Sequence, residues 1–183
     1  MDSERIALID MDGTLADYTG VLHEELEKLA SPDEPPVPED FHEGPDWLKR
    51  RAEIIKKQHG FWRNLPKVPE GFQVLQLLQD LKYEPMILTK GPTRTTSAWT
   101  EKRDWCHEHL PGTKVTITED KGLVYGKVLF DDFPPYILRW LEWRPRGKVI
   151  MLEHPWNYDF KHEQVFRFRG SKDLEALRKW LQS

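Results

Sequence analysis

The chain has 183 residues, 38% hydrophobic and 32% charged, with a formal net charge of −4 and an isoelectric point near 6.0. That size suits one domain, or one domain carrying a small insert, and the acidic balance argues against a long nucleic acid as partner, which would call for a basic patch. A lone cysteine, Cys106, excludes an internal disulfide and any Cys/His zinc spacing, and no apolar run approaches the roughly 20 residues that span a bilayer.

In chain order, Ile6–Ile9 is a short apolar run bounded by charge, the pattern of a buried strand. It runs straight into "DMDGTLAD", residues 10–17, which sets Asp10, Asp12 and Asp17 around Gly13. Residues 20–30 carry Val21, Leu22, Leu26 and Leu29 at helical spacing. Residues 31–46 are rich in proline and acid and read as a loop. Residues 47–62 predict a basic amphipathic helix, and Pro66 and Pro69 close the segment. Residues 17–65 are therefore expected to form a small helical insert after the first strand, with 1–16 and 66–183 making the main domain.

Beyond the insert the pattern alternates. Helices are expected at 70–83, 95–110, 134–143 and 171–183, and strands at 85–89, 114–118, 127–132, 148–152 and 164–169. Pro134 and Pro135 suit a first helical turn, Ser171 is a plausible N-cap, and Asp17 is placed to cap or brace the insert. Residues 164–169 alternate as an edge strand does. Strands alternating with helices predict an α/β fold: a Rossmann-like parallel sheet with helices on both faces.

Ligands of such sheets bind beyond the carboxyl ends of the strands. Four features fall on that edge: Asp10 with Asp12, then Thr89-Lys90-Gly91, then Lys121, then Asp131-Asp132. Singly, each has a plain reading as a strand-end turn, a helix cap or a solvated lysine. Together they place four carboxylates close enough to repel one another and raise one another's pKa values. A hard divalent cation removes that conflict, and Mg²⁺ takes oxygen ligands and commonly shares them with a phosphate. Thr89 can then donate a hydroxyl to phosphate and Lys121 can offset its charge. Lys90 and Arg94 read equally well as phosphate contacts or as surface charge. Of the two acids on the first strand, one can attack phosphorus and the other can shuttle a proton.

These residues resemble the haloacid-dehalogenase-like phosphohydrolases. "DMDGTLAD" resembles their first motif, DxDGTLxD; "ILTKG" resembles the second, Lys121 the third and "LFDD" the fourth, in the expected order. The insert resembles that superfamily's cap. "TEDKGLVYGKVLFDD" (118–132) is similar to the corresponding stretch of 5′(3′)-deoxyribonucleotidases, whose lysine stands ten residues before the first aspartate of the fourth motif; here 131 − 121 = 10. "FWRNLPKVPEGF" (61–72), "AWTEKRDW" (98–105) and "VIMLEHPWN" (149–157) are similar to that family's segments as well.

The resemblance implies Asp10 as nucleophile and Asp12 as acid and base. It implies Mg²⁺ held by the side chains of Asp10 and Asp132 and the backbone carbonyl of Asp12, with Asp131 in the same acidic set. Thr89 and Lys121 would bind phosphate, with Lys90 the candidate beside them from the residue reading above, and Tyr18, six residues after Asp12, would help form a base pocket with Phe41, Phe61 or Trp62 from the insert. Where the family carries an arginine two residues before the lysine, this chain has Glu119. The function implied is a cytoplasmic, Mg²⁺-dependent phosphomonoesterase that hydrolyses nucleoside monophosphates through an aspartyl-phosphate, with no membrane partner; a homodimer is compatible with it. The alternatives are a phosphatase of the same fold acting on a polynucleotide 3′-phosphate end or a phosphosugar, or a non-catalytic phospho-accepting module.

Overall fold

The computed structural model describes residues 5–39 and 44–183. The elements run β1 (Ile6–Ile9), α1 (Tyr18–Lys28), α2 (Asp46–Lys56), α3 (Pro69–Asp80), β2 (Glu84–Lys90), α4 (Thr96–His109), β3 (Lys114–Thr118), β4 (Val128–Phe130), α5 (Pro134–Leu141), β5 (Lys148–Leu152), β6 (Val165–Phe168) and α6 (Leu174–Gln182). All six strands pair in parallel, in the order β3-β2-β1-β4-β5-β6. The fold is the expected α/β sheet, and β6 takes the edge that its alternation predicted.

Parallel sheets are covered on both faces, so their central strands are apolar throughout. β1 lies between β2 and β4, with Ile9 in register with Ile87 and Phe130, and Ala7, Leu8 and Ile9 are all buried. The period of two sends Ala7 and Ile9 to one layer, against Val74, Leu78, Trp105 and Leu177 of α3, α4 and α6. It sends Leu8 to the other layer, against Ile137, Trp140 and Leu141 of α5. Because β1 is central and short, whatever follows Ile9 must emerge in the middle of the sheet's carboxyl edge.

The insert carries its own small apolar cluster of Leu22, Leu26, Val37, Leu48, Ala52 and Ile55, between α1 and α2. Asp17 caps α1 by accepting the Gly20 N–H at 2.9 Å. The chain enters and leaves the insert side by side: the Asp17 N–H donates to Pro66 and the Val68 N–H to Leu15, both at 2.8 Å.

Two expectations are corrected. The helix predicted over 47–62 stops at Lys56. Gly60 turns the chain at φ +84°, and the Gly60 and Trp62 N–H groups donate to the buried Glu101 carboxylate of α4 at 2.8 and 3.2 Å. A tertiary acceptor has replaced the next turn of helix. Ser171 opens a short 3₁₀ turn rather than capping α6, which begins at Leu174 after Asp173 has accepted the Arg169 N–H at 2.9 Å. Phe41 lies outside the described residues. Among those described, no helix is long and apolar enough to cross a membrane.

Candidate active site

The turn after β1 is built by its backbone. Met11 is buried, and its carbonyl accepts the Leu15 and Ala16 N–H groups, both at 2.8 Å, which fixes the loop on the core. Gly13 sits at φ +72°, and a Cβ there would lie 2.6 Å from Asp132 Oδ2. Glycine is therefore required twice, by conformation and by the approach of the second acid pair. α3 presses on the same turn: a Cβ on Gly71 would lie 1.9 Å from the Thr14 carbonyl oxygen.

Lys121 anchors the acids. It is 2% exposed, with Nζ 2.8 Å from Asp10 Oδ1 and 2.7 Å from Asp131 Oδ2. Burial opposes its charge, yet Asp10 and Asp131 beside it raise its pKa above the ordinary lysine value. Asp10 Oδ1 also accepts the Met11 N–H at 2.7 Å. Asp131 uses Oδ1 on the Phe133 N–H at 3.0 Å and Oδ2 on Lys121; burial pushes its pKa up to about 6 against the pull of Lys121. Asp132 accepts from Thr14 Oγ1 at 3.1 Å and from Trp156 Nε1 at 3.2 Å. Burial, and then the charges of Asp131 and Asp10, hold its carboxyl well above the usual carboxylate range.

One oxygen from each of Asp10, Asp131 and Asp132 lies within 4.8 Å of the others. Three buried carboxylates face a single ammonium, which leaves excess negative charge in a set of hard oxygen donors. That chemistry fits a divalent cation of the Mg²⁺ type. Asp131 is ion-paired to Lys121 through one oxygen and takes a backbone N–H on the other. Among the described residues, Asp132 meets only the neutral donors Thr14 and Trp156, and Asp10 makes both of its contacts through Oδ1, so Asp10 and Asp132 are the candidate side-chain ligands.

Asp12 belongs to a different contact. Its Oδ2 pairs with Lys102 of α4, which is 1% exposed, donates to the Lys90 carbonyl at 2.7 Å and to Thr89 Oγ1 at 3.4 Å, and lies 4.4 Å from the Trp62 ring centroid. Its Oδ1 is buried and has no hydrogen-bond partner among the described residues. Burial raises the Asp12 pKa, Lys102 opposes this, and Asp10 reinforces it. The result is a carboxyl group held at one oxygen and open at the other, the arrangement a proton donor needs.

A cavity of about 490 Å³ stands over this floor. Asp10, Asp12, Lys121 and Asp132 line its base; Tyr18, Glu53, Lys56 and Trp62 come from the insert; Lys90, Arg94, Tyr136 and Trp156 close the far side. Tyr18 and Trp62 stack on each other at 5.1 Å and 4°, with Phe61 edge-on to both. Burial raises the Tyr18 hydroxyl far above its ordinary value. Trp62 is buried and donates Nε1–H to the Lys56 carbonyl at 3.1 Å. Thr89 is buried against Lys102, whereas the Lys90 amine reaches the wall and lies 5.0 Å from the Tyr136 ring centroid. The Lys121 amine lies 4.8 Å from the same ring.

The structure thus gathers Asp10, Asp12, Lys90, Lys121, Asp132, Tyr18 and Trp62 around one space, whereas Thr89 and Asp131 are fully buried behind its lining, against Lys102 and Lys121. Sequence reading missed Lys102, Thr14, Tyr136 and Trp156. A signal for Lys102 did exist: Ala98, Glu101, Lys102 and Trp105 are all buried at helical spacing, so α4 carries two charges on its inward face.

The family model for a "5′ nucleotidase, deoxy (Pyrimidine), cytosolic type C protein" matches residues 4–178. A Bordetella bronchiseptica protein assigned as a 5′(3′)-deoxyribonucleotidase is 32% identical over 185 residues, covering 93% of this chain and 95% of that one. The human 5′(3′)-deoxyribonucleotidase of cytosolic type is 27% identical over 140 residues, covering 68% and 69%. Among solved structures, a haloacid dehalogenase-like hydrolase from Burkholderia xenovorans LB400 aligns with a TM-score of 0.59 at 15% identity, over 98% of this chain and 99% of that one. A hydrolase of the same superfamily from Ehrlichia chaffeensis aligns at 0.52 and 12%, over 100% of both chains. At these identities the structural likeness concerns the fold.

Proposed function

We propose, for a chain that belongs to the cytosolic type C family of deoxyribonucleotide 5′ nucleotidases and is a phosphoric monoester hydrolase of haloacid-dehalogenase-like fold, that it hydrolyses nucleoside monophosphates through an aspartyl-phosphate on Asp10. The observation that carries this reading is the division of labour between the two acids of the first motif. Asp10 is tied to Lys121 beside Asp132, while Asp12 is turned to Lys102 and keeps one buried oxygen open.

Asp10 and Asp132, with the Asp12 carbonyl, would hold Mg²⁺, which when bound supplies Lewis-acid polarisation of the phosphoryl oxygens. Lys121 and the Met11 N–H both hold Asp10 Oδ1, which leaves Oδ2 to attack phosphorus. The P–O bond to the nucleoside breaks, and Asp12 gives its proton to the departing oxygen. Asp12, now ionised, takes a proton from water as that water attacks the phosphorus of the aspartyl-phosphate. Phosphate leaves with Asp10 restored and Asp12 protonated again. Lys90 on the wall and Thr89 beneath it serve the phosphate. Residues 17–65 act as the cap that excludes bulk water, and Tyr18 reads the base from it. The human relative's cytosolic type supports a cytoplasmic setting.

The test is phosphate release across ribo- and deoxyribonucleoside monophosphates, a polynucleotide 3′-phosphate end and phosphosugars, with and without Mg²⁺. Mg²⁺-dependent turnover of nucleotides is expected to lead the panel. Faster turnover of a phosphosugar or a polynucleotide end would replace the nucleotide reading. Base stacking on an aromatic contributes about 1–3 kcal/mol. Tyr18→Ala is therefore expected to lower kcat/KM for nucleotides about tenfold more than for a small aryl phosphate. Equal losses would remove Tyr18 from base reading.

A further inference from the structure

The segment after β5, Glu153-His154-Pro155-Trp156-Asn157, lies outside the four motifs, yet it reaches both acid-bearing loops. Trp156 Nε1–H donates to Asp132 Oδ2 at 3.2 Å. The indole is stacked face to face on the His154 ring, at 4.2 Å and 8° between planes. The His154 Nε2–H donates to the Gly13 carbonyl at 2.7 Å, so the ring that supports Trp156 is itself fixed to the first-motif turn. Asn157 Nδ2 donates to the Asp132 carbonyl and to the Leu152 carbonyl, both at 2.8 Å, and Asn157 Oδ1 accepts the His154 N–H at 3.1 Å. Arg167 of β6 holds Asn157 from behind through its Oδ1 and its carbonyl, at 3.2 and 2.9 Å.

Each end of this strap has a purpose that packing alone does not explain. Two donors, Thr14 and Trp156, fix the plane of the Asp132 carboxyl group with one on each oxygen. An indole N–H is a donor only. It can orient the carboxyl group, and it offers no lone pair of its own to a cation. Trp156 also lines the cavity, so the donor sits at the boundary between the acid cluster and the substrate space.

We propose that Trp156, braced by His154, is a positioning residue that sets cation affinity by holding Asp132 in its ligating orientation. The inference rests on the metal reading given above. Outer partners of ligating groups typically change metal affinity by about 10- to 100-fold when removed.

The experiment is direct titration of the substrate-free protein with Mn²⁺, as a paramagnetic stand-in for Mg²⁺, read by electron paramagnetic resonance. The proteins are wild type, Trp156→Phe, Trp156→His, His154→Ala and Asp132→Asn, each with its thermal transition recorded. Trp156→Phe keeps an aromatic ring for the stack and loses the donor. Trp156→His restores a ring N–H. The expected result is a Mn²⁺ affinity about tenfold or more weaker in Trp156→Phe, with recovery in Trp156→His and a loss in His154→Ala. Unchanged affinity in Trp156→Phe overturns the proposal. So does a loss that follows the thermal transition across all variants and is not relieved by Trp156→His, since that is a packing effect. Asp132→Asn separates the two levels. If it binds Mn²⁺ as wild type does, the metal reading itself fails. If it loses Mn²⁺ while Trp156→Phe does not, only the positioning role fails.

Discussion

Asp10→Asn is expected to lower phosphate release from nucleotides by roughly 10⁴-fold or more, the scale seen when a catalytic nucleophile is removed, while leaving the fold in place. The loss follows from chemistry: a neutral amide does not displace an alkoxide from phosphorus. Retention of the fold follows from the charge pattern. Asp10 is one of three carboxylates around Lys121, and its removal leaves that buried ammonium still paired with Asp131 at 2.7 Å. It also removes one of the charges that raise the pKa of Asp132. The variant therefore relieves repulsion as it loses an ion pair, unlike most changes that break a buried pair. Phosphate-release assays with thermal unfolding in parallel check both halves. Turnover near the wild-type rate would rule out Asp10 as nucleophile. A wild-type protein that accepts phosphate on Asp10 and never releases it would instead favour the non-catalytic phospho-accepting reading.

Much of this arrangement was legible before any coordinates because the informative signals were local. The apolar run of β1, the acids that follow it and Gly13 are contiguous, and a central strand has only one place to end. The remaining strands were clear as well: β2, β4 and β5 are short apolar runs, while β3 and β6 alternate polar with apolar residues, as the strands at the two edges of the sheet do. The misread features were the ones decided at long range. Residues 57–62 look helical by composition, but Glu101, on a helix about forty residues away in sequence, offers acceptors that outcompete another helical turn. Lys102 looks like one more solvated lysine in "TEKRDW" until its helix face is known. Trp156 looks like core packing, and only the approach of β5 to β4 in the sheet brings its N–H to Asp132. The identities of these residues were visible; their partners, fixed by topology, were not.

Asp12→Asn separates the two half-reactions, and its expected effect depends on the leaving group. A nucleoside departs as a poor alkoxide, so the first step needs the proton that Asp12 supplies, and turnover of nucleotides is expected to fall about 10²- to 10⁴-fold. An activated aryl phosphate departs as a stable phenolate and needs no proton. With 4-nitrophenyl phosphate the variant should therefore still transfer phosphate to Asp10. It should then stall, because no base remains to activate the water, and a rapid stoichiometric release of nitrophenol should precede a slow steady rate. The cost to the fold arises at Lys102, whose ammonium is buried and loses its carboxylate partner. It keeps the Lys90 carbonyl at 2.7 Å and Thr89 Oγ1 at 3.4 Å. The destabilisation is therefore expected below the roughly 3–5 kcal/mol of a fully orphaned buried charge. Stopped-flow absorbance reads the burst and urea unfolding reads the stability. Equal losses on both substrates without a burst would take Asp12 out of proton transfer and leave its free oxygen without a role.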